Sequence, residues 1–245
     1  MLTLAHVSDI HIGGSPRSVE RARAVMRHLE ELPGPLDAVI VTGDIADHGT
    51  AEEYGTAREL LTSRYPTVLC PGNHDVRPAF REVLLGQDGD GPVNQVLRLD
   101  GLTVALCDSS IPGRPEGVLE DETIAWLEAV LAESPATPVI VGMHHPAVAL
   151  GIPYVDTIGL REPERLEGVL RRHPQVVAVL AGHAHTPAST TFAGLPLIVA
   201  PGVVSTALLP QEYASPDPRD FDLPPQIAMH VFDDGRLTTH MRLVR

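Results

Sequence analysis

Short apolar runs recur along this chain, and each is closed by polar residues. The runs at 2–7, 38–41, 67–70, 139–143 and 176–181 are rich in Val and Ile and are followed by turn-forming residues. That pattern predicts buried strands. Between them the spacing predicts helices near 16–31, 51–63, 121–132 and 161–172. The third of these opens on Glu120, Asp121 and Glu122, which suits the positive end of a helix dipole. Its Ile124, Leu127 and Leu131 then share one face. A second group of runs, at 95–99, 103–107, 189–192, 195–199, 227–232 and 237–243, reads as hairpins turned at Asp100-Gly101, Ala193-Gly194 and Asp234-Gly235. The early part therefore reads as parallel and the later part as antiparallel, giving two packed sheets flanked by helices. Residues 206–225 hold five prolines and no period, and read as a surface loop or arm. The expectation is one domain over 1–245, with that Pro-rich arm at about 206–225.

Composition narrows the function. With 245 residues and 43% hydrophobic positions, a full core is available. The formal charge is -14, from 32 acidic against 18 basic residues, which opposes binding to a nucleic acid polymer or to anionic lipid. A small anionic substrate is still compatible, because bound metal inverts the local field. The two cysteines, Cys70 and Cys107, end apolar runs and read as buried thiols rather than a disulfide framework. The N-terminal stretch lacks the charged region and cleavage site of a signal peptide. The apolar stretch at 138–155 is broken by His144-His145, Pro146 and Pro153, so no membrane span is expected. The expectation from these features is a cytoplasmic protein.

The polar punctuation carries the chemistry. Five predicted strands end in Asp9-Ile10-His11, in Gly43-Asp44 with Asp47 and His48 behind it, in Asn73-His74-Asp75, in His144-His145 and in His183-Ala184-His185. On an extended chain the first and third residues of such a triplet point the same way. Ligands of α/β sheets gather beyond the carboxyl ends of the strands, so the five clusters should converge. Imidazole and oxygen donors without thiolate suit Zn, Mn or Fe. The donors outnumber the needs of one ion, and a carboxylate has two oxygens with which to bridge two, so a dinuclear centre follows.

The series DIH, GDIADHG, GNHD, MHHP and GHAH, in this order over residues 9–185, resembles the calcineurin-like metallophosphoesterases. The "HVSDIH" start, the "EEY" after the second motif, "DSS" at 108–110 and the "L-x-D-E-T-x-x-W-L" pattern at 119–127 are most similar to the bacterial class III cyclic nucleotide phosphodiesterases and the dinuclear glycerophosphodiesterases. The resemblance implies an α/β fold, a four-layer α-β-β-α sandwich of two mixed sheets flanked by helices. It implies Asp9, His11, Asp44 and His185 as ligands of one divalent ion, and Asp44, Asn73, His144 and His183 as ligands of a second, with Asp44 bridging. His74 resembles the family's catalytic histidine and, with Asn73, faces the substrate. Asp75 is expected to orient His74 or the turn.

The implied activity is hydrolysis of small phosphodiesters, cyclic nucleotides or glycerophosphodiesters, by a hydroxide that bridges the two ions. A phosphomonoesterase of the same fold and a metal-free protein-binding scaffold are the competing readings. The scaffold should have lost ligands, and here each position is filled. The segment after His185 builds a dimer in some relatives, so a homodimer is also an expectation. Other residues read more plainly. His6 is a core histidine, and His145 shapes the surroundings of the site rather than binding metal. Asp47 and His48 form the turn after Asp44, with His48 within reach of the site. His28, His173, His230 and His240 are structural or exposed. Substrate selection is assigned to segments 109–116, 149–160 and the stretch after Val203, with Tyr154 or Phe192 as stacking candidates.

Overall fold

The structure, a computed structural model, describes residues 1–214 and 217–244. Residues 215–216 of the expected arm and Arg245 lie outside the described residues. In chain order the elements of the first half are β1 (Leu2–Val7), α1 (Ser18–Glu30), β2 (Ala38–Thr42), α2 (Ala51–Leu61), β3 (Thr67–Cys70) and α3 (Arg77–Phe80), which runs on as a π-helical turn, Arg81–Leu85. Then follow β4 (Gln95–Leu99), β5 (Leu102–Leu106), α4 (Asp121–Glu133), β6 (Val139–Gly142), α5 (Pro153–Thr157), α6 (Pro163–Arg172) and β7 (Val176–Ala181). The last part holds β8 (Ala188–Phe192), β9 (Leu195–Val199), the short β10 (Thr206–Ala207) and β11 (Arg219–Asp220), β12 (Gln226–Asp233) and β13 (Arg236–Leu243).

The strands build a five-stranded sheet, β13-β12-β1-β2-β3, and a six-stranded sheet, β4-β5-β6-β7-β9-β8. Both sheets are mixed. Strands β1, β2 and β3 run parallel, and β12 joins β1 antiparallel. In the second sheet β5, β6, β7 and β9 run parallel, with antiparallel β4 and β8 at the edges. The division into an early parallel part and a late antiparallel part is therefore corrected. Strand β9 leaves the β8 hairpin to pair parallel with β7, and β12 returns to the first sheet. The hairpin turns are as read: Ala193-Gly194 and Asp234-Gly235 both have positive φ, which matches the right-handed strand twist.

Alternation along the strands sorts the layers. Val39 and Val41 face α1 and α2, in a core with Val25, Leu29, Tyr54 and Phe80. Ala38 and Ile40 face the second sheet, in a core with Leu4, Val104, Ile140 and Leu180. On the far side, Val139, Val141 and Val179 meet Leu127 and Leu131 of α4 and Leu166 and Val169 of α6. The order helix, sheet, sheet, helix is the four-layer sandwich expected.

Two arginines tie distant segments together, one by ion pairs and one by hydrogen bonds to carbonyls. Buried Arg77 binds Asp108 through Nε at 2.8 Å, Glu120 at 2.9 Å and the Ser110 carbonyl at 2.7 Å. Arg21 on α1 donates to the Val203 carbonyl at 2.7 Å and the Phe221 carbonyl at 3.1 Å, so it grips both ends of the 203–221 arm. Cys70 and Cys107 are buried free thiols.

One polar pair lies inside the apolar inter-sheet layer. His6 and His230 are fully buried, and His6 Nδ1 faces His230 Nε2 at 3.3 Å. Burial, reinforced by His230, pushes His6 well below its usual value, and burial takes His230 down to about 4. Both rings are neutral when folded but take up protons from about pH 6.5 when unfolded. Stability is therefore lost as pH falls from about 6.5 towards 4, by on the order of 3 kcal/mol for a shift of the size seen at His230. Denaturant unfolding at pH 7 and pH 4.5 should show that loss, and His230→Gln should make it smaller.

Candidate metal centre

The candidate site lies where the parallel strands of both sheets end. Asp9 and His11 follow β1, Asp44 follows β2, Asn73 and His74 follow β3, His144 follows β6, and His183 and His185 follow β7. The backbone there is not extended. Asp9, His11, Asp44, His183 and His185 all have φ between +47° and +69°. The convergence of Asp9 with His11, and of His183 with His185, thus comes from left-handed turns and not from the strand pleat. Such conformations cost about 1–2 kcal/mol per residue, and they cluster at functional sites. The loops also crowd one another: a Cβ at Gly43 would lie 2.6 Å from the Gly72 nitrogen and 2.7 Å from His144 Nδ1.

Two groups of donors face one another. In the first, Asp9 Oδ1 lies 3.3 Å from His185 Nε2, which lies 3.1 Å from His11 Nε2, which lies 3.3 Å from Asp44 Oδ2. The facing atoms of these four residues all fall within 4.8 Å of one another. In the second, His144 Nε2 lies 3.4 Å from the same Asp44 Oδ2, 3.1 Å from Asn73 Oδ1 and 3.1 Å from His183 Nδ1. Every residue expected to bind metal is therefore brought together.

Most of the rings are aimed from behind. His11 Nδ1 bonds Asp47 Oδ1 at 2.8 Å, His144 Nδ1 the Thr42 carbonyl at 2.7 Å, and His185 Nδ1 Ser205 Oγ at 2.9 Å. Each bond turns Nε2 inward. Ring nitrogens that face one another at 3.1 Å, and a buried Asp9 Oδ1 without a hydrogen-bond partner, are what a cation-binding donor set leaves behind. These residues fit divalent ions that prefer nitrogen and oxygen.

Charge is distributed accordingly. Burial works against ionisation of Asp44, but His144 and His11 hold it well below the usual carboxylate range. Burial alone would lower His144; Asp44 reverses this and raises it to about 9. His185 is pushed down to about 4, by burial first and His11 beside it, and so keeps its lone pair.

The neighbours depart from the sequence reading in three places, and of its two expected roles Asp75 takes the turn rather than His74. Its carboxylate accepts from the Gly72, Ile45 and Ala46 amides at 2.8, 3.2 and 3.1 Å and from Tyr54 Oη at 3.0 Å, and so welds the 43–46 loop to the 72–75 loop. Asp47 does more than turn the chain, since it aims His11, whereas His48 pairs with Glu53 at 2.7 Å. Phe192 is buried against the outer face of the second sheet and is no stacking candidate. Segment 109–116 stays out of the cleft, where Ser109 and the Pro115 carbonyl hold both nitrogens of His145. Thr42 and Ser205 carried no signal that sequence reasoning could use.

His74 stands apart from both donor groups. Its amide donates to Asp44 Oδ1 at 2.9 Å and its Nδ1 to the Asp47 carbonyl at 2.9 Å, which leaves Nε2 open. The half-exposed ring meets that of His11 edge-on at 4.6 Å. It lines a cleft of about 650 Å³ with Asn73, Tyr154, Tyr213, Arg219 and Phe221.

A two-sheet sandwich with this constellation defines a class, and the comparisons agree. The family model for the calcineurin-like phosphoesterases matches residues 2–187, and the chain belongs to that family. It is 35% identical to a glycerophosphodiester phosphodiesterase, GpdQ, of Enterobacter lignolyticus, over 94% of this chain and 86% of that one. It is 30% identical to the 3′,5′-cyclic AMP phosphodiesterase CpdA of Escherichia coli, over 91% and 80%. Its fold matches that of a dimetal phosphatase from Danio rerio with a TM-score of 0.75 at 18% identity, covering 100% and 96% of the two chains.

Gly182, which opens the last motif, has no room for a side chain: a Cβ would overlap Ser8 Oγ and approach the Thr42 carbonyl to 2.9 Å. Gly182→Ala should therefore destabilise the protein by about 1–3 kcal/mol, as overpacking does. Denaturant unfolding reads that loss directly.

Proposed function

We propose that the chain is a phosphodiesterase that hydrolyses small phosphodiesters at a dinuclear centre. Asp9, His11, Asp44 and His185 hold one divalent ion, and Asp44, Asn73, His144 and His183 hold the other. The observation that carries this reading is the single oxygen Asp44 Oδ2, which faces His11 at 3.3 Å and His144 at 3.4 Å. When bound, two such ions polarise phosphoryl oxygens and acidify water at neutral pH. Mn, Fe and Zn all suit the donors.

The protein's own groups do the rest. Asn73 adds a neutral oxygen to an already anionic cluster and so limits its negative charge. His74, with its Nδ1 proton committed to the Asp47 carbonyl, turns Nε2 to the cleft side, where, once protonated, it can donate to a phosphoryl or leaving-group oxygen. The alcohol half of the diester faces the wall made by Tyr154, Tyr213, Phe221 and Arg219. Arg219 is held ready there, with both guanidinium contacts to Asp217 at 2.9 Å and its charge 5.5 Å from the Phe221 ring. The printed activities of GpdQ and CpdA, both phosphodiesterases, support the substrate class. The net charge of -14 weighs against a polymeric nucleic acid substrate.

Protein stripped of metal and reloaded with Mn²⁺, Zn²⁺ or Fe²⁺ should turn over bis-p-nitrophenyl phosphate in preference to p-nitrophenyl phosphate. Asp44→Ala should abolish that turnover. Preference for the monoester would replace this reading with a phosphomonoesterase. For the preferred diester, Arg219→Ala should raise KM about tenfold, the equivalent of 1.4 kcal/mol, and change kcat little.

A further inference from the structure

Among the histidines of the two donor groups, His11, His144 and His185 each have a hydrogen-bond partner behind the ring, and His183 has none. Its Nδ1 faces His144 Nε2 at 3.1 Å. Its Nε2 is buried without a hydrogen-bond partner among the described residues. What lies against this ring is another ring. His145 meets His183 at 4.7 Å between ring centres, with 48° between the planes, and meets His144 edge-on at 4.9 Å and 88°. His144 and His183 in turn meet edge-on at 4.9 Å. The three rings close a triangle, and two of its corners are expected ligands of the second ion.

Distance alone admits the third corner as a ligand too, since one nitrogen of each ring falls within 4.8 Å of the others. The hydrogen bonds of His145 speak against that. Its Nε2 lies 3.2 Å from the Pro115 carbonyl, which only accepts, so Nε2 carries a proton. Its Nδ1 lies 2.8 Å from Ser109 Oγ, which also accepts from the His145 amide at 3.3 Å. Both nitrogens are thus committed to the 109–118 loop. That loop is itself anchored. The Val118 amide donates to the Ser109 carbonyl at 2.9 Å, the Gly117 amide to the Gly159 carbonyl at 3.2 Å, and the Arg161 amide to the Gly117 carbonyl at 2.7 Å. Arg161 also pairs with Glu116 at 2.8 Å. A Cβ at Gly117 would lie 2.3 Å from His145 Nδ1, so the loop closes directly over the ring.

We propose that His145 is a positioning residue of the second ion site: a fixed ring that sets the angle of His183 by packing, with the 109–118 loop as its mount. The proposal rests on the two-ion reading above. Interiors are close-packed, so a ring held at both nitrogens limits the rotation of the ring packed on it. His11 and His185 are held by Asp47 and Ser205, and their ring contacts are with His74 and with each other. The first ion site therefore does not depend on His145.

Calorimetric titration of metal-free protein with Mn²⁺ tests this. Wild type should take two equivalents per chain. In His145→Ala the second equivalent should weaken about 10–100-fold with the first unchanged. His145→Phe keeps a ring in place but has no nitrogen, and should retain most of the wild-type affinity. Equal loss in the two variants makes His145 a ligand and overturns the proposal. A second equivalent left intact in folded His145→Ala, or both equivalents weakened alike, overturns it as well. Ser109→Ala covers the case of His145 variants that do not fold. It frees Nδ1, so a ligand His145 would bind no worse, whereas a positioning ring loses part of its mount. The second equivalent should then weaken about fivefold, the worth of one hydrogen bond, and no weakening overturns the proposal. All these failures spare the dinuclear reading. Fewer than two equivalents in the wild type removes that reading and this proposal with it.

Discussion

One carboxylate oxygen organises this protein. Asp44 Oδ2 lies between a histidine that follows β1 of the first sheet and another that follows β6 of the second. A charge at that depth is unfavourable unless compensated. Both sheets end around it, and the loops that carry the compensating groups must approach to van der Waals limits. Gly43 packed on Gly72 and the Asp75 carboxylate joined to three amides of neighbouring loops follow from that requirement. The sandwich brings two strand ends from different sheets to within one hydrogen-bond length, which a single sheet with its helices does not do.

The rings around Asp44 show how a fold sets the chemistry of a side chain from behind. Asp47, the Thr42 carbonyl and Ser205 each occupy the outward nitrogen of a histidine. Two of the three come from the loop and strand that also present Asp44. The third comes from the start of the arm, whose ends Arg21 grips. Arm, cleft wall and donor cluster are thus one mechanical unit, and a displacement of the arm would be felt by His185 through Ser205.

Much of the fold was legible in the sequence because its strands are short, Val- and Ile-rich and bounded by turns. Strands 2–7, 67–70, 95–99, 176–181 and 195–199 fall at the limits read from the pattern. The segment 77–85 was missed because a four-residue helix running into a π-helical turn has no 3.6-residue period, and α5 at Pro153–Thr157 was missed for its shortness. The direction of β9 was misread because a hairpin predicts its local partner and says nothing about the neighbour on the other side. The polar strand ends pointed to a metal centre, and the family resemblance distributed the ligands. What neither supplied was the supporting set. Asp47 stood in a polar strand end but was read as turn only, Thr42 and Ser205 are ordinary residues in sequence, and Arg219 reaches the cleft only because the arm folds back over it.

The left-handed backbone at Asp9, His11, Asp44, His183 and His185 has an evolutionary reading. Glycine adopts that conformation freely, so at each of these positions it would relax the backbone. A lineage released from its chemistry would find changes towards glycine among the mildest available to it, and would shed this set early. The two aspartates and three histidines here hold a backbone that glycine would adopt at lower cost.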